Sequence, residues 1–450
     1  MTVAVLRPVA AAPAPLLGSY RFELIKLLSQ WRVRVLLVAC WIAPAGFVAI
    51  VSRQSSLPSD TVFGRLMHAT GWSGGLVVLA FACFWALPLL ISLVAGDVFA
   101  IEDRLGTWRH LLVAVRSPGR IFVAKAAASL SVIIVLMIGL AVSGVGGGLL
   151  SVGNRPLNGL DGYAFTGAQA GERFVLAWLS VLAPVLAFAA IGLLGSVALA
   201  RSPMGLALPA VLALALALVQ QLPLPLLVRL ALPSQGFVAW RGLFTETPQL
   251  GPLVIGIIVA LSWGIVATAA AYLIFIRRDF TNLANDGSGR RLLMCGLLPL
   301  TALAAVSVLV IMIASPAAGS GIDKIKLERA LATSYGHLYV LQSTELNRPD
   351  VTEAQLRPTA DCDKGGSLVD DEGAGNDWRC VVSWHLPGTN AVGQAVYQLD
   401  VTPDGRFVAD GDGPKEVNGY FQVRASYGAA PNPLWQFDGI VDLLTPSRKD

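Results

Sequence analysis

The sequence predicts an all-α polytopic membrane domain followed by a C-terminal extracytoplasmic α+β domain. Hydrophobic residues make up 55% of its 450 residues and charged residues 14%, whereas about a quarter of a soluble protein is charged. Seven predominantly apolar segments approach the roughly 20 residues that a helix needs to cross a bilayer. The charge balance also changes, with 21 Lys and Arg against 10 Asp and Glu up to Ile322, and 12 against 19 beyond it. This change predicts the domain boundary.

The apolar segments predict seven membrane-spanning helices. They lie near residues 33–52, 73–95, 122–150, 174–200, 203–222, 252–276 and 292–314. The first six fall within a predicted six-span domain, residues 35–291, and the segment 292–314 adds a seventh span.

The distribution of Lys and Arg predicts the orientation. Fifteen of them lie on the segments that share a side with the N-terminus, and six lie on the opposite loops. Because positive residues concentrate on the cytoplasmic side, we expect a multi-pass protein of a bacterial cell membrane with residues 1–18 as a cytoplasmic tail. Seven crossings then place residues 315–450 outside the cytoplasm.

The cysteines support an outer C-terminal domain. Three of them, Cys40, Cys83 and Cys295, lie in apolar segments, whereas Cys362 and Cys380 lie in the polar region. In an oxidising compartment this pair predicts a disulfide worth about 3 kcal/mol. The alternative is two unpaired thiols.

An amphipathic helix is predicted over residues 19–34, before the first span. We expect it to lie along the inner leaflet with Glu23, Lys26 and Gln30 on its polar face. The alternative is a plain extension of the first span. The predicted apolar face consists of Leu24, Leu27, Leu28 and Trp31.

The loop over residues 96–120 reads as helix, break, helix, break. Gly106 can end the first helix, Thr107 can cap the next, and Pro118 is typical of a helix start. The second of these helices has an apolar face at positions i, i+3, i+4 and i+7, which is suited to docking on a soluble partner. The alternative is that this face lies on the lipid headgroups. That face consists of Trp108, Leu111, Leu112 and Val115.

This loop resembles that of type 2 ATP-binding-cassette (ABC) transporter permeases. The resemblance rests on the order Glu102, Gly106-Thr107, Leu111-Leu112, Pro118, Arg120 and Lys125. Arg120 lies two residues after Pro118, where the family pattern has three. The Pro-rich stretch Leu222–Gly251, which includes Pro223, also resembles the family, whereas the seventh span and the outer domain go beyond its six-span core.

The resemblance implies a permease subunit of an ATP-driven exporter. In that family the loop is a coupling helix that sits in a groove of a nucleotide-binding ATPase subunit, which implies that role for Glu102, Gly106, Thr107, Trp108, Leu111, Leu112, Val115, Pro118 and Arg120. The resemblance also implies a homodimer, or a heterodimer with a related permease.

The chain's own residues predict no catalysis. It contains no Gly-Lys dipeptide and hence no phosphate-binding loop, so we expect no cofactor on this chain and ATP with Mg on the partner subunit. The middle of each predicted span lacks charge, which argues against a proton relay and favours a lipid-like or amphipathic cargo. A different hypothesis is a membrane-anchored sensor or binding protein that uses the outer domain.

Other chemistries are disfavoured. The Gly71–Gly74 stretch resembles the serine motif of intramembrane proteases, but the four histidines, His68, His110, His337 and His385, all lie outside the predicted spans. The chain has no basic run with interleaved aromatics, which excludes nucleic-acid binding. No zinc motif is present, and Asp410 and Asp412 are interpreted as part of a turn rather than a calcium loop.

The outer domain is predicted to be a helix packed on antiparallel hairpins. The helix covers residues 323–342, and the strands cover Trp378–Leu386 and Val396–Val401. The sequence Thr402–Gly405 is typical of a type I turn before Arg406–Val408. Three roles of this domain are compatible with its sequence: transfer of cargo, docking of a partner, and bracing of the outer face.

Overall fold

Apolar helices make up most of the described residues up to Ser315, and a β-sheet domain follows them. A computed structural model describes residues 15–54, 57–58, 60–200, 204–222, 224–280, 287–315, 321–366, 369–425 and 428–445. The predicted tail up to residue 14, Arg201 and Pro223 lie outside the described residues. We call the helix ends nearest the C-terminal domain the domain side, and the opposite ends the loop side.

Six helices in the described part of the chain are long and apolar enough to cross a membrane. The fifth predicted span, residues 203–222, is a shorter apolar helix, α9, and the seventh, residues 292–314, is one of the six. The first half contains α1 (Leu16–Ser29), α2 (Trp31–Val51), α3 (Gly71–Phe81), α4 (Leu87–Ala95), α5 (Ala100–Leu105), α6 (Trp108–Val115) and α7 (Pro118–Ser151). The second half contains α8 (Gly167–Leu199), α9 (Met204–Gln221), α10 (Leu226–Leu230), α11 (Leu250–Ile276), α12 (Gly289–Leu292) and α13 (Leu298–Ala314).

Two of the long helices contain a wide π turn immediately before a proline. The turn Ala82–Ala86 joins α3 to α4 and precedes Pro88, and Leu293–Leu297 joins α12 to α13 and precedes Pro299. A proline ring collides with the carbonyl four residues before it and has no N–H to donate. The π turn moves that carbonyl aside, so each helix continues instead of breaking.

Helix α7 is the centre of the first half of the bundle and contacts α1, α2, α3 and α4. A Cβ atom added to Gly148 would lie 2.0 Å from the carbonyl oxygen of Gly71. Only glycine therefore allows α7 and the start of α3 to come together there. In the second half, α8 packs on α9 and α11.

Helix α1 is separate from α2 and ends earlier than the predicted helix 19–34. The backbone breaks at Gln30, which is extended, and Trp31 belongs to α2 and is exposed. Of the predicted apolar face, Leu27 is buried and Leu28 is exposed. Glu23, predicted on the polar face, is instead buried, because an ion pair holds it against Lys125 of α7. The contact of the exposed apolar residues with the inner leaflet stays a prediction.

The C-terminal domain has the predicted α+β architecture. Helix α14 (Lys324–Glu345) packs on a five-stranded antiparallel sheet of order β3-β4-β5-β6-β9. Asp410 lies in β6, so the turn predicted there is wrong for that residue. The strands are β3 (Thr359–Lys364), β4 (Gly375–His385), β5 (Val392–Val401), β6 (Arg406–Gly411) and β9 (Gln436–Ile440). Smaller elements are β1 (Leu157–Asn158), β2 (Ala164–Phe165), α15 (Glu353–Leu356), α16 (Lys415–Asn418), β7 (Gln422–Ala425) and β8 (Gly428–Pro431).

The turn between β5 and β6 fastens the sheet domain to the helices. Arg229 donates a hydrogen bond to the Pro403 carbonyl oxygen, and Arg241 forms an ion pair with Asp404. Arg406 donates to the Asp60 carbonyl oxygen at 3.0 Å. Burial alone would raise the pKa of Asp404, but Arg241, the Thr402 hydroxyl and Arg229 offset it and hold that pKa below its ordinary value.

The predicted disulfide is confirmed, and Cys362 and Cys380 face each other across β3 and β4. The bridge spans 18 residues of sequence. We expect Cys362→Ser to lower the free energy of unfolding of the C-terminal domain by about 3 kcal/mol, because the unfolded chain regains the entropy that the loop had removed. Thermal unfolding with and without reductant measures this, after mass spectrometry of unreduced peptides has shown the bridge.

The matched control is Cys295→Ser, which removes an exposed free thiol. This variant should unfold like the parent protein. Equal stability of Cys362→Ser and Cys295→Ser would show that the bridge contributes nothing to the fold.

Candidate functional site

The loop between α4 and α7 has the predicted helix, break, helix, break pattern. Gly106 ends α5 with φ +67°, and a Cβ there would meet nothing within 4 Å, so its backbone angle rather than lack of space favours glycine. Arg116 ends α6 in the same left-handed region. The Ser117 hydroxyl then accepts a hydrogen bond from the Arg120 N–H and caps α7 at Pro118. Two sharp breaks thus hold α6 between α5 and α7.

Four charged residues form a buried ion-pair network beneath this loop, which we call the Lys125 network: Glu23, Lys26, Glu102 and Lys125. The Lys125 Nζ atom lies 2.8 Å from Glu102 Oε1 and 2.9 Å from Glu23 Oε2. Lys26 forms an ion pair with Glu102 as well. The network therefore joins three helices, α1, α5 and α7.

Thr107 donates a hydrogen bond to the Lys125 network and is not the predicted side-chain cap. Its hydroxyl donates to Glu102 Oε2, and its side chain makes no capping bond to α6. Glu102 is fully buried, so a direct contact with a basic group of another protein is excluded in this conformation. Its role here is to order the loop.

A second polar cluster ties α6 to the end of α11. Asp103 accepts hydrogen bonds from the Trp108 indole N–H at 2.8 Å and from Arg278 Nη1 at 2.9 Å. The Arg278 guanidinium lies 5.7 Å from the Trp108 ring centre. Phe275 and Phe280 also contact this ring. Asp103 and Trp108 thus connect the loop to a helix far away in sequence.

The predicted docking face of α6 packs against its own chain. Trp108 and Leu111 are buried, and Leu112 and Val115 are half-buried. The prediction that this face is free was wrong, because Trp108 enters the aromatic cluster described above. Truncating Trp108 to Ala would remove core packing and lower the free energy of unfolding by about 3–5 kcal/mol. Pro118 and Arg120 are also half-buried.

A different surface of the loop is open to a partner. Leu105 is 63% exposed and Val113 is 73% exposed. Arg109 and His110 are exposed between them. Exposed apolar side chains of α5 and α6, together with the charged Arg109, are suited to a protein contact.

The serine of the Gly71–Gly74 stretch is bonded to the backbone at the start of α3. Ser73 is fully buried, and its hydroxyl lies 2.6 Å from the carbonyl oxygen of Thr70 and 2.9 Å from that of Leu66. Its hydrogen-bonding capacity is therefore used at the start of α3. Within the described ranges, no group of three or more His, Cys, Asp or Glu side chains is arranged to hold a metal ion.

The chain matches no protein-family model, and a search of curated proteins finds no significant relative. Its function is therefore inferred from the geometry of the loop. The sequence did contain a signal for the Lys125 network, because Lys125 is an isolated charge within an apolar stretch. Arg278 carried no such signal, since two adjacent arginines at a helix end are ordinary topological charges.

We expect Lys125→Met to lower the free energy of unfolding by about 3–5 kcal/mol, because it leaves the buried carboxylates of Glu23 and Glu102 without their shared cation. Thermal unfolding in detergent, followed by tryptophan fluorescence, measures the change. The control is Arg109→Gln, on the exposed side of α6, which should unfold like the parent. A Lys125→Met protein as stable as this control would show that the Lys125 network does not hold the loop.

Proposed function

We propose that this chain is the transmembrane permease subunit of an ATP-driven exporter, of the type 2 ABC permease kind. A separate nucleotide-binding subunit hydrolyses the ATP, and the cargo is lipid-like or amphipathic. The observation that carries the proposal is the short helix α6, which is held between two sharp breaks. Hydrogen bonds from Thr107 and Trp108 connect it to Glu102 and Asp103 of α5, whose buried ion pairs reach Lys125 and Arg278.

Motion of α6 reaches the long helices through two routes. The first runs from Thr107 and Glu102 to Lys125 on α7 and Glu23 on α1. The second runs through Asp103 to Arg278, at the end of α11. Separating a buried ion pair is costly, so a partner that pushes α6 moves these helices with it rather than leaving them behind. This is the behaviour required of a coupling element.

The exposed side chains of α5 and α6 supply the docking surface in this proposal. Leu105 and Val113 provide apolar contact area, and Arg109 provides charge. The loop side is then cytoplasmic, where ATP is present, and the oxidised C-terminal domain lies outside. A second permease chain, identical or related, completes the pathway.

The alternative function is a membrane-anchored sensor. The contacts of Arg229 and Arg241 with the C-terminal domain, and of that domain's Arg406 with Asp60, favour it, because they would transmit a ligand-induced movement of the domain to the helices. A sensor of this kind does not require an ATPase. Retention of an ATPase therefore separates the two functions.

We expect Leu105→Asp and Val113→Asp to reduce retention of the nucleotide-binding subunit by about tenfold or more, because each buries a charge in the contact. The measurement is affinity purification of the tagged chain from its native membrane, with the retained subunit identified by mass spectrometry and by ATP hydrolysis. All variants are compared at equal amounts of permease.

The matched control is Leu150→Asp, since Leu150 is 91% exposed at the domain-side end of α7. It should retain the ATPase. Retention in the Leu105→Asp, Val113→Asp double variant would refute the docking surface. Absence of any ATPase from the unmutated chain would favour the sensor.

A further inference from the structure

An apolar groove opens between α2 and the continuous helix formed by α3 and α4. Its volume is about 510 Å³, and all its lining side chains are hydrophobic, with Leu36 and Phe47 on one wall and Phe81 and Leu93 on the other. Helix α2 packs mainly on α7 and only slightly on α3, which leaves the groove open. The π turn Ala82–Ala86 contributes small side chains to its wall.

A basic bowl lies at the domain-side ends of α2 and α7. Its basic residues are Arg53, His68 and Arg155, and the lining that the structure describes includes Ser52 and Gln54 but no carboxylate. Its volume is about 520 Å³. Within the described part of the chain, neither Arg53 nor Arg155 forms an ion pair. The two guanidinium groups are therefore available to an anion.

The bowl begins where α2 ends, one turn beyond the groove. Leu36, Cys40, Ala43 and Phe47 line the groove at intervals of three and four residues, which places them on the same side of the helix. Helix α2 ends at Val51, and the next residue, Ser52, already lines the bowl. At 1.5 Å per residue, Ser52 lies about 8 Å beyond Phe47 along the helix axis. A single elongated molecule can thus reach both sites.

We propose that the groove and the bowl bind one bilayer lipid with an anionic phosphate headgroup. The acyl chain occupies the apolar groove, where no polar group has to be desolvated. The phosphate lies between Arg53 and Arg155, because guanidinium groups recognise phosphate through paired hydrogen bonds. A twofold copy of the chain is a poorer occupant, since it would bring a second basic bowl to the same surface. The proposal rests on the membrane placement within the proposed function, and it requires no ATPase.

The test measures lipid retention by the full chain with native mass spectrometry. The protein is purified in mixed micelles that contain phosphatidylglycerol or zwitterionic phosphatidylcholine at equal concentration. We expect the unmutated chain to retain phosphatidylglycerol about tenfold better. The double variant Arg53→Gln, Arg155→Gln should lose this preference, whereas Arg348→Gln, an exposed arginine of the C-terminal domain, should keep it.

The groove is tested separately with Ala43→Phe, which fills it. Retention of phosphatidylglycerol should fall about tenfold, and the matched control Ala269→Phe, on the exposed side of α11, should not change it. Unchanged preference in the arginine double variant, or unchanged retention in Ala43→Phe, overturns the proposal. A shift of Ala43→Phe from dimer to monomer with lipid retention intact would instead show that the groove is a contact between copies.

These results are independent of the exporter function. Lipid retention as described, without ATPase retention by the chain, would leave the lipid site standing and remove the exporter function. ATPase retention without selective lipid binding would leave the exporter function standing and remove the lipid site.

Discussion

The rest of the structure depends on one buried cation, Lys125, held between two carboxylates. Its ammonium group is almost fully enclosed by protein, where an unpaired charge would be strongly unfavourable, so Glu23 and Glu102 have to accompany it. This requirement fixes α1 against the bundle and sets which of its faces points inward. It also places α5, and with it the short helix α6, at a defined position beneath the long helices.

The sequence predicted the fold more accurately than the environment of single side chains. Long apolar stretches determine the helices, and Gly106 and Pro118 mark the loop's breaks through backbone geometry alone. Cys362 and Cys380 were paired because no other cysteine shares their polar surroundings. The burial of Glu23 was not predicted, because hydrophobic periodicity assumes that polar residues point away from the protein. Here buried charges pair with one another.

The aromatic cluster around Trp108 shows a second reason why the sequence did not predict the environment of single side chains. Local spacing indicates that Trp108 lies on the apolar face of α6, but not what covers that face. Phe275 and Arg278 arrive from a helix more than 160 residues later in the chain, so a local pattern contains no trace of them. The partner of an apolar face is a tertiary property, and for α6 that partner is the chain itself.

The attachment of the C-terminal domain has a consequence for biogenesis. Arg229 and Arg241 lie between α9 and α11, whereas their partners, in the turn Pro403–Asp404, are synthesised much later. Until the sheet folds, both guanidinium groups lack these contacts. The helices therefore reach their final arrangement only after the last domain is made, and a chain cut before this turn would expose two uncompensated arginines. Such a chain would be recognisable to quality-control proteases.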